Sequence, residues 1–158
     1  MITTQLTRPT TAAPSRPDIV PATPARRVAL CSVPVTAAAV PSLRRFTRDA
    51  ARRWGVAAEA RDTLSLVVTE LVTNVLLHSS SPEVLVMIAF DGSEVTVEVK
   101  DAGRWQPRLS PRLAAEDADA ECGRGLDLVR HCTSRLLAFL SGTGSRVVAC
   151  LPAAPATA

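Results

Sequence analysis

Aromatic residues are scarce in this chain of 158 residues: they make up 3% of it, and tyrosine is absent. Proteins that bind single-stranded nucleic acid stack the bases on aromatic side chains, so this scarcity counts against such a function. The net charge is only +3, and the basic residues, nearly all arginine, form no continuous run. The arginines between Arg44 and Arg53 would suit a nucleic-acid surface, but a basic helix face is more often simply solvated. We therefore expect no direct nucleic-acid partner.

The chain also lacks the cysteine patterns of metal sites and disulfide frameworks. Its four cysteines lie far apart, without a C-x-x-C pair and without histidine at the spacing of a zinc finger. No apolar run approaches the roughly 18 residues of a membrane span, and the first residues contain no continuous apolar stretch of the signal-peptide kind. These absences predict a cytoplasmic protein with no membrane partner.

What the chain does contain is the composition of one folded domain, with 47% apolar and 21% charged residues. Residues 1–26 are an exception, because they are rich in Thr, Pro and Ala, and their prolines prevent a regular helix or strand. We predict a disordered tail over residues 1–26, a globular domain over residues 27–152 and a flexible C-terminus over residues 153–158.

Hydrophobic periodicity predicts helices and strands in an order typical of an α+β protein. A strand near Val28 precedes two helices, at residues 36–54 and 58–78, and the second helix has an apolar stripe that we expect to face the core. A hairpin, an irregular stretch of about twenty residues and a third helix follow, and a second hairpin ends the domain. This order predicts a two-layer sandwich with helices packed on one face of a mixed, mostly antiparallel sheet.

Three polar residues lie four apart in the second predicted helix: Glu70, Asn74 and His78. This spacing places them on one helix face, beside the apolar stripe, where a ligand groove would form. The neutral oxygen of Asn suits Mg²⁺, and a glutamate one turn away would orient or deprotonate an attacking hydroxyl. The alternative is a solvated helix edge without a ligand.

Two glycine-containing motifs follow. In the first, Asp101-Ala102-Gly103, a carboxylate at the end of a strand would accept a hydrogen bond from an exocyclic amine such as that of adenine. In the second, Gly123-Arg124-Gly125-Leu126, glycines at the start of a helix would leave backbone N–H groups free to hold phosphate, and Arg124 would add charge. Each motif is also compatible with an ordinary turn.

In this order and spacing the three motifs resemble those of the GHKL ATPase superfamily, which has the Bergerat-type ATP-binding fold. The nine residues from Glu70 to His78 match the pattern E-L-V-x-N-x-x-x-H of its short anti-sigma regulatory factor serine kinases at every specified position. The D-x-G box follows at Asp101, and the G-x-G-L box begins at Gly123. The likeness covers roughly residues 28–151.

The resemblance implies a role for each motif residue. It implies that Glu70 is the general base, that Asn74 is the Mg²⁺ ligand, that Asp101 binds adenine and that Gly103 makes room for the base. Residues 123–126, which are Gly123, Arg124, Gly125 and Leu126, would line the triphosphate, and residues 104–122 would form the ATP lid.

Two further positions are implied with alternatives. His78 would either approach a phosphate or close the helix end, where a histidine cation is favoured. Relatives open the final strand with a Gly-Lys-Thr or Gly-Thr-Thr sequence whose Thr helps to bind adenine, whereas this chain has Gly144-Ser145-Arg146. Thr143 or Ser145 would then supply the hydroxyl.

The resemblance implies an ATP- and Mg²⁺-dependent anti-sigma factor with protein-serine kinase activity. Such a protein switches between a sigma factor and an anti-anti-sigma antagonist, and the family leads us to expect a homodimer. The alternative is a nucleotide-gated binding module without kinase activity.

Overall fold

The computed structural model describes residues 25–104 and 124–153. Most of the predicted N-terminal tail, of the lid and of the C-terminal segment therefore lies outside the described residues. The elements, in chain order, are strand β1 (Arg27–Pro34), helices α1 (Ala39–Arg53) and α2 (Ala58–His78), strands β2 (Glu83–Phe90) and β3 (Glu94–Asp101), helix α3 (Arg124–Cys132) and strands β4 (Arg135–Ser141) and β5 (Gly144–Pro152).

The five strands form one sheet in the order β1-β2-β3-β5-β4, and every neighbouring pair among them is antiparallel. Buried residues alternate with more exposed ones along β3 and β5, as expected when one sheet face is covered and the other is open. The helices cover the buried face, and the α+β sandwich predicted from the sequence is confirmed. In this part of the chain no helix is long and apolar enough to cross a membrane.

The core lies between α2 and the covered face of the sheet. All the predicted stripe residues of α2 are buried: Leu64, Val67, Val68, Leu71 and Val75. They pack with the inward valines of the central strands, including Val86, Val97 and Val99. The apolar stripe thus fixes which face of α2 contacts the sheet, and it leaves the neighbouring polar face at the edge of this core.

Helix α1 begins three residues later than the pattern predicts, at Ala39. Pro41 is tolerated because it lies in the first helical turn, where backbone N–H groups have no intrahelical acceptor. The predicted stop at Gly55 is confirmed: its φ is 78°, and the amides of Gly55 and Val56 donate to the carbonyls of Arg52 and Ala51. This pair of bonds is the Schellman arrangement that ends many helices.

Candidate functional site

The polar row of α2, formed by Glu70, Asn74 and His78, lies at the margin of the core. Glu70 and Asn74 are half-buried, and His78, at the end of the helix, is buried with 9% of its surface exposed. Within residues 25–104 and 124–153 the Glu70 carboxylate and the Asn74 amide make no hydrogen bond or ion pair. No residue in this part of the chain therefore occupies their polar atoms, which remain available to a ligand.

The start of α3 lies directly against Glu70. A β-carbon placed on Gly125 would contact Oε2 of Glu70 and would lie 3.5 Å from its Cδ. Only a glycine permits this approach without displacing the carboxylate. The structure therefore brings two motifs together that are separated by more than fifty residues in sequence. Leu126, the next residue, packs against the core and holds α3 in place.

Part of the phosphate motif lies outside the described residues. Gly123 is not described, and Arg124 is described only as the first residue of α3, without its side chain. The predicted lid is described only at Arg104. The roles of Gly123, Arg124 and the lid therefore stay predictions.

The carboxylate of Asp101 is the most constrained polar group of the site. Its side chain is buried, with 5% of the residue exposed. Oδ1 accepts hydrogen bonds from the Ser79 hydroxyl at 2.5 Å and from the Gly103 amide at 2.9 Å, and Oδ2 accepts one from the Ser145 hydroxyl. Three donors from three segments thus fix the position of one carboxylate.

A serine turn, Ser79–Ser81, connects α2 to β2 and anchors the D-x-G motif. Besides the bond from Ser79 to Asp101, the Ser81 hydroxyl accepts from the amide of Ala102 at 3.1 Å and the Ser80 hydroxyl accepts from the amide of Arg104 at 3.3 Å. Sequence reasoning missed these residues. The signal was the S-S-S-P run directly after His78, since short hydroxyl side chains commonly bond to nearby backbone groups.

Gly103 has a packing role that the sequence does not indicate. A β-carbon there would collide with the Ser79 hydroxyl and with the backbone nitrogens of the serine turn, that of Ser80 lying at 2.8 Å. The glycine therefore permits the close approach of two backbone segments. Its predicted role, to make room for a flat base, stays a prediction.

Ser145, and not Thr143, bonds to Asp101. Thr143 lies in the turn between β4 and β5, where it is exposed and its amide bonds to the Ser141 hydroxyl at 3.3 Å. Gly144, with a φ of 153°, packs against the backbone of Asp101 and turns the chain so that Ser145 points inward. Of the two hydroxyls considered from the sequence, the one at the carboxylate belongs to Ser145.

A shallow cavity of about 240 Å³ opens beside this hydrogen-bonded cluster. Asp101, Thr143, Gly144 and Ser145 contribute to its walls. Thr143 therefore lies near the site, although its hydrogen bonds are to Ser141 and not to the carboxylate. The cavity therefore lies where the end of β3 meets the hairpin of β4 and β5.

The shortest ion pair among the described residues lies on the open face of the sheet, where Arg146 also contributes to the wall of the cavity. The Arg146 guanidinium donates to both carboxylate oxygens of Glu98, at 2.6 and 3.0 Å. These hydrogen bonds and the positive charge lower the pKa of Glu98. The same guanidinium lies 5.8 Å from the ring centre of Phe139. Arg146 thus stabilises the sheet surface through Glu98, and it makes no hydrogen bond or ion pair with Asp101.

Comparison with solved structures supports the fold. The chain is similar to one described as the RsbU and RsbW domains of Rv1364c from Mycobacterium tuberculosis, with a TM-score of 0.60 and 17% sequence identity. The match covers 82% of this chain and 34% of that one, so this chain spans about a third of the length of the solved protein.

Comparison with protein families identifies the domain. No curated protein matches the chain. The model of the histidine kinase-like ATPase domain matches residues 33–151, which include the polar row of α2 and both glycine-containing motifs. Because this match spans most of the sequence, the chain belongs to the histidine kinase-like ATPase domain family.

Proposed function

We propose that this chain binds ATP and Mg²⁺ along α2 and acts as an anti-sigma factor with protein-serine kinase activity. The observation that carries the proposal is the convergence of three motifs on one helix. Gly125 lies against Glu70, and Asp101 is bonded to Ser79, just beyond the end of the helix. Glu70 and Ser79 are nine positions apart, which corresponds to roughly 14 Å along the helix axis and suits a nucleotide with its base at one end and its phosphates at the other.

The Asp101 end suits an adenine. A carboxylate has about four acceptor positions, and protein donors fill three of those on Asp101. The remaining position would accept a hydrogen bond from the exocyclic amine of the base. The fixed orientation of the carboxylate would favour that bond, because little conformational entropy is left to lose on binding.

The Glu70 end suits phosphoryl transfer. The half-buried Asn74 amide, which has no hydrogen bond within the described residues, fits a neutral oxygen ligand for Mg²⁺. When bound, the ion would neutralise charge on the phosphates. Glu70 would accept the proton of a serine hydroxyl as the serine oxygen bonds to the γ-phosphorus and ADP leaves. Backbone amides at the start of α3 would face the phosphates.

The partners follow from the resemblance of the motifs to those of anti-sigma factor serine kinases. We propose a sigma factor and an anti-anti-sigma antagonist as the two partners in the cytoplasm, with a serine of the antagonist as the phosphate acceptor. Phosphorylation would change which partner this chain holds.

Calorimetric titration with ATP and Mg²⁺ tests the nucleotide site. We expect saturable binding to the wild-type chain, and weaker binding to the Asn74→Ala and Asp101→Asn variants. Ser145→Ala should also weaken binding, and Thr143→Ala is its matched control, since of these two hydroxyls that of Ser145 bonds to Asp101. Absence of binding by a folded wild-type chain would refute the proposal.

Phosphotransfer is tested separately, with purified candidate antagonists and phosphoserine detection by mass spectrometry. Glu70→Gln should abolish transfer and leave ATP binding largely intact. If the wild-type chain binds ATP and a sigma factor but phosphorylates no antagonist, the alternative function becomes the better assignment. The chain would then be a nucleotide-gated binding module without kinase activity.

A further inference from the structure

The three donors to Asp101 differ in the part of the fold to which they belong. The Gly103 amide lies in the same loop as Asp101, two residues along the chain. Ser145 is the cross-strand partner of Asp101 on β5. Ser79 is the one donor of the three that comes from the helical layer, because it directly follows α2. The Ser79 hydroxyl is therefore the donor that ties the carboxylate to α2.

A second hydrogen bond fixes the direction of the bond from Ser79. The amide of Ser81 donates to the Ser79 hydroxyl oxygen at 3.2 Å. Because an amide N–H can only donate, the hydroxyl oxygen accepts there, and its single proton is left for Asp101. The Ser79 amide continues the helical hydrogen bonding to the carbonyl of Val75 at 2.9 Å. Backbone groups on both sides thus hold Ser79 in place as a donor to Asp101.

The three bonds leave one oxygen of Asp101 with an open acceptor position. A carboxylate oxygen has two lone pairs, and on Oδ1 the Ser79 hydroxyl and the Gly103 amide use both of them. On Oδ2 the Ser145 hydroxyl is the one donor among the described residues, so a lone pair remains there. An exocyclic amine would therefore bond to Oδ2.

Ser79 differs from the rest of the serine turn in what its hydroxyl contacts. The bonds of Ser80 and Ser81 to the D-x-G loop end on backbone amides, whereas that of Ser79 ends on the carboxylate itself. The packing is close, since a β-carbon on Gly103 would collide with the Ser79 hydroxyl. Ser79 is thus the residue of the turn that can control how Asp101 meets a ligand.

We propose that Ser79 is a positioning residue of the base site, which orients Oδ2 of Asp101 towards the exocyclic amine of adenine. This inference rests on the proposed function, because it presupposes that ATP binds with its base at Asp101. Rotation of the carboxylate would break the bonds from Ser79 and Gly103 to Oδ1, so these bonds keep Oδ2 turned to the ligand. The Ser79 hydroxyl also ties the amine contact to the helix that carries Asn74 and Glu70.

A comparison of ATP with a nucleotide that lacks the amine tests this role. Purine riboside triphosphate has hydrogen in place of the 6-amino group and is otherwise identical to ATP. In calorimetric titrations with Mg²⁺, the full wild-type chain should bind ATP more tightly than this analogue. Ser79→Ala should weaken ATP binding about tenfold, as expected for coupling between groups in contact, and should change binding of the analogue less than about twofold. The preference for ATP should therefore fall at least about fivefold.

Two further variants separate positioning from stability. Ser80→Ala is the matched control, because this exposed serine of the same turn bonds to the Arg104 amide and not to the carboxylate. It should leave the preference for ATP unchanged. Ser79→Cys keeps the shape of the side chain with a weaker donor, so it should reduce the preference by a smaller factor, and it replaces Ser79→Ala if that variant does not fold. Thermal unfolding followed by circular dichroism establishes which variants are folded.

Three results would overturn the inference, and they differ in what they imply for the proposed function. If Ser79→Ala weakened the binding of both nucleotides equally, Ser79 would have a structural role only. If the wild-type chain bound ATP and the analogue equally well, the amine would not bond to Asp101, although the nucleotide site itself would stand. If a folded wild-type chain bound neither nucleotide, the proposed function would fail and the role of Ser79 with it.

Discussion

Removal of the Ser145 hydroxyl is the sharpest test of how the Asp101 cluster is held together. Oδ2 of Asp101 accepts its hydrogen bond from Ser145, and both residues are almost completely buried, with 5% and 4% of their surfaces exposed. In the Ser145→Ala variant this oxygen keeps no hydrogen-bond donor among the described residues.

The expected cost follows from the charge on the acceptor. A hydrogen bond to a charged group contributes about 1.5–3 kcal/mol, because a buried carboxylate oxygen left unpaired pays its desolvation penalty. We expect Ser145→Ala to lower the free energy of unfolding by about that amount. Denaturant unfolding followed by circular dichroism would measure this loss of stability. An unchanged m-value would show that the wild-type chain and the Ser145→Ala variant expose the same surface on unfolding.

Two controls separate the hydrogen bond from other effects. Ser145→Thr keeps the hydroxyl and suits a strand, so it should stay close to the wild type. A double-mutant cycle with Asp101→Asn should reveal a coupling energy between the two positions, as expected for groups in direct contact. If Ser145→Ala changed stability by less than about 0.5 kcal/mol, the typical effect of a surface substitution, the hydrogen bond would not anchor Asp101.

Three other substitutions, the first with a control, test separate parts of the structure. Gly103→Ala should cost about 1–3 kcal/mol by overpacking against backbone, whereas Gly142→Ala, which meets open space, should cost far less in the same unfolding assay. Gly125→Ala should leave stability nearly unchanged but displace Glu70, so phosphotransfer should fall. Glu98→Gln should cost roughly 1 kcal/mol or less at neutral pH. Because the folded pKa of Glu98 is lowered, that difference should shrink as the pH falls below its usual pKa of about 4.3 and should disappear as the pH falls through the lowered folded pKa. Equal costs at the two glycines, full activity of Gly125→Ala or a pH-independent Glu98 effect would each contradict the corresponding reasoning.

The sequence predicted the architecture because periodicity encodes burial. The valines of β3 alternate with polar residues, and the apolar stripe of α2 recurs at helical spacing, so which face of each element is buried could be read directly. Boundaries were less certain. The hairpin pattern does not give the first residue of β5, which is Gly144 because the pairing of β5 with β3 extends to Asp101.

The site was predictable only where its residues form local motifs. Glu70 and Asn74 share a helix face, and that relation depends on spacing alone. The contact of Ser145 with Asp101 depends on the register of two strands, and a shift of one residue would have turned Ser145 to the other face. The serine turn was missed for a similar reason: its hydrogen bonds reach residues more than twenty positions away.

The Asp101 end and the Glu70 end of the candidate site differ in a way that fits phosphoryl transfer. A group that only holds a ligand benefits from a fixed orientation, and Asp101 is fixed by three donors. A general base instead needs a lone pair that can take up a proton, and the described residues donate no hydrogen bond to Glu70. A glycine near each carboxylate permits this difference. Gly103 lets the serine turn approach Asp101 closely, and Gly125 has no β-carbon that would displace the Glu70 carboxylate. The same backbone geometry would therefore hold the adenine in a fixed orientation at Asp101 and leave the Glu70 carboxylate free to exchange a proton.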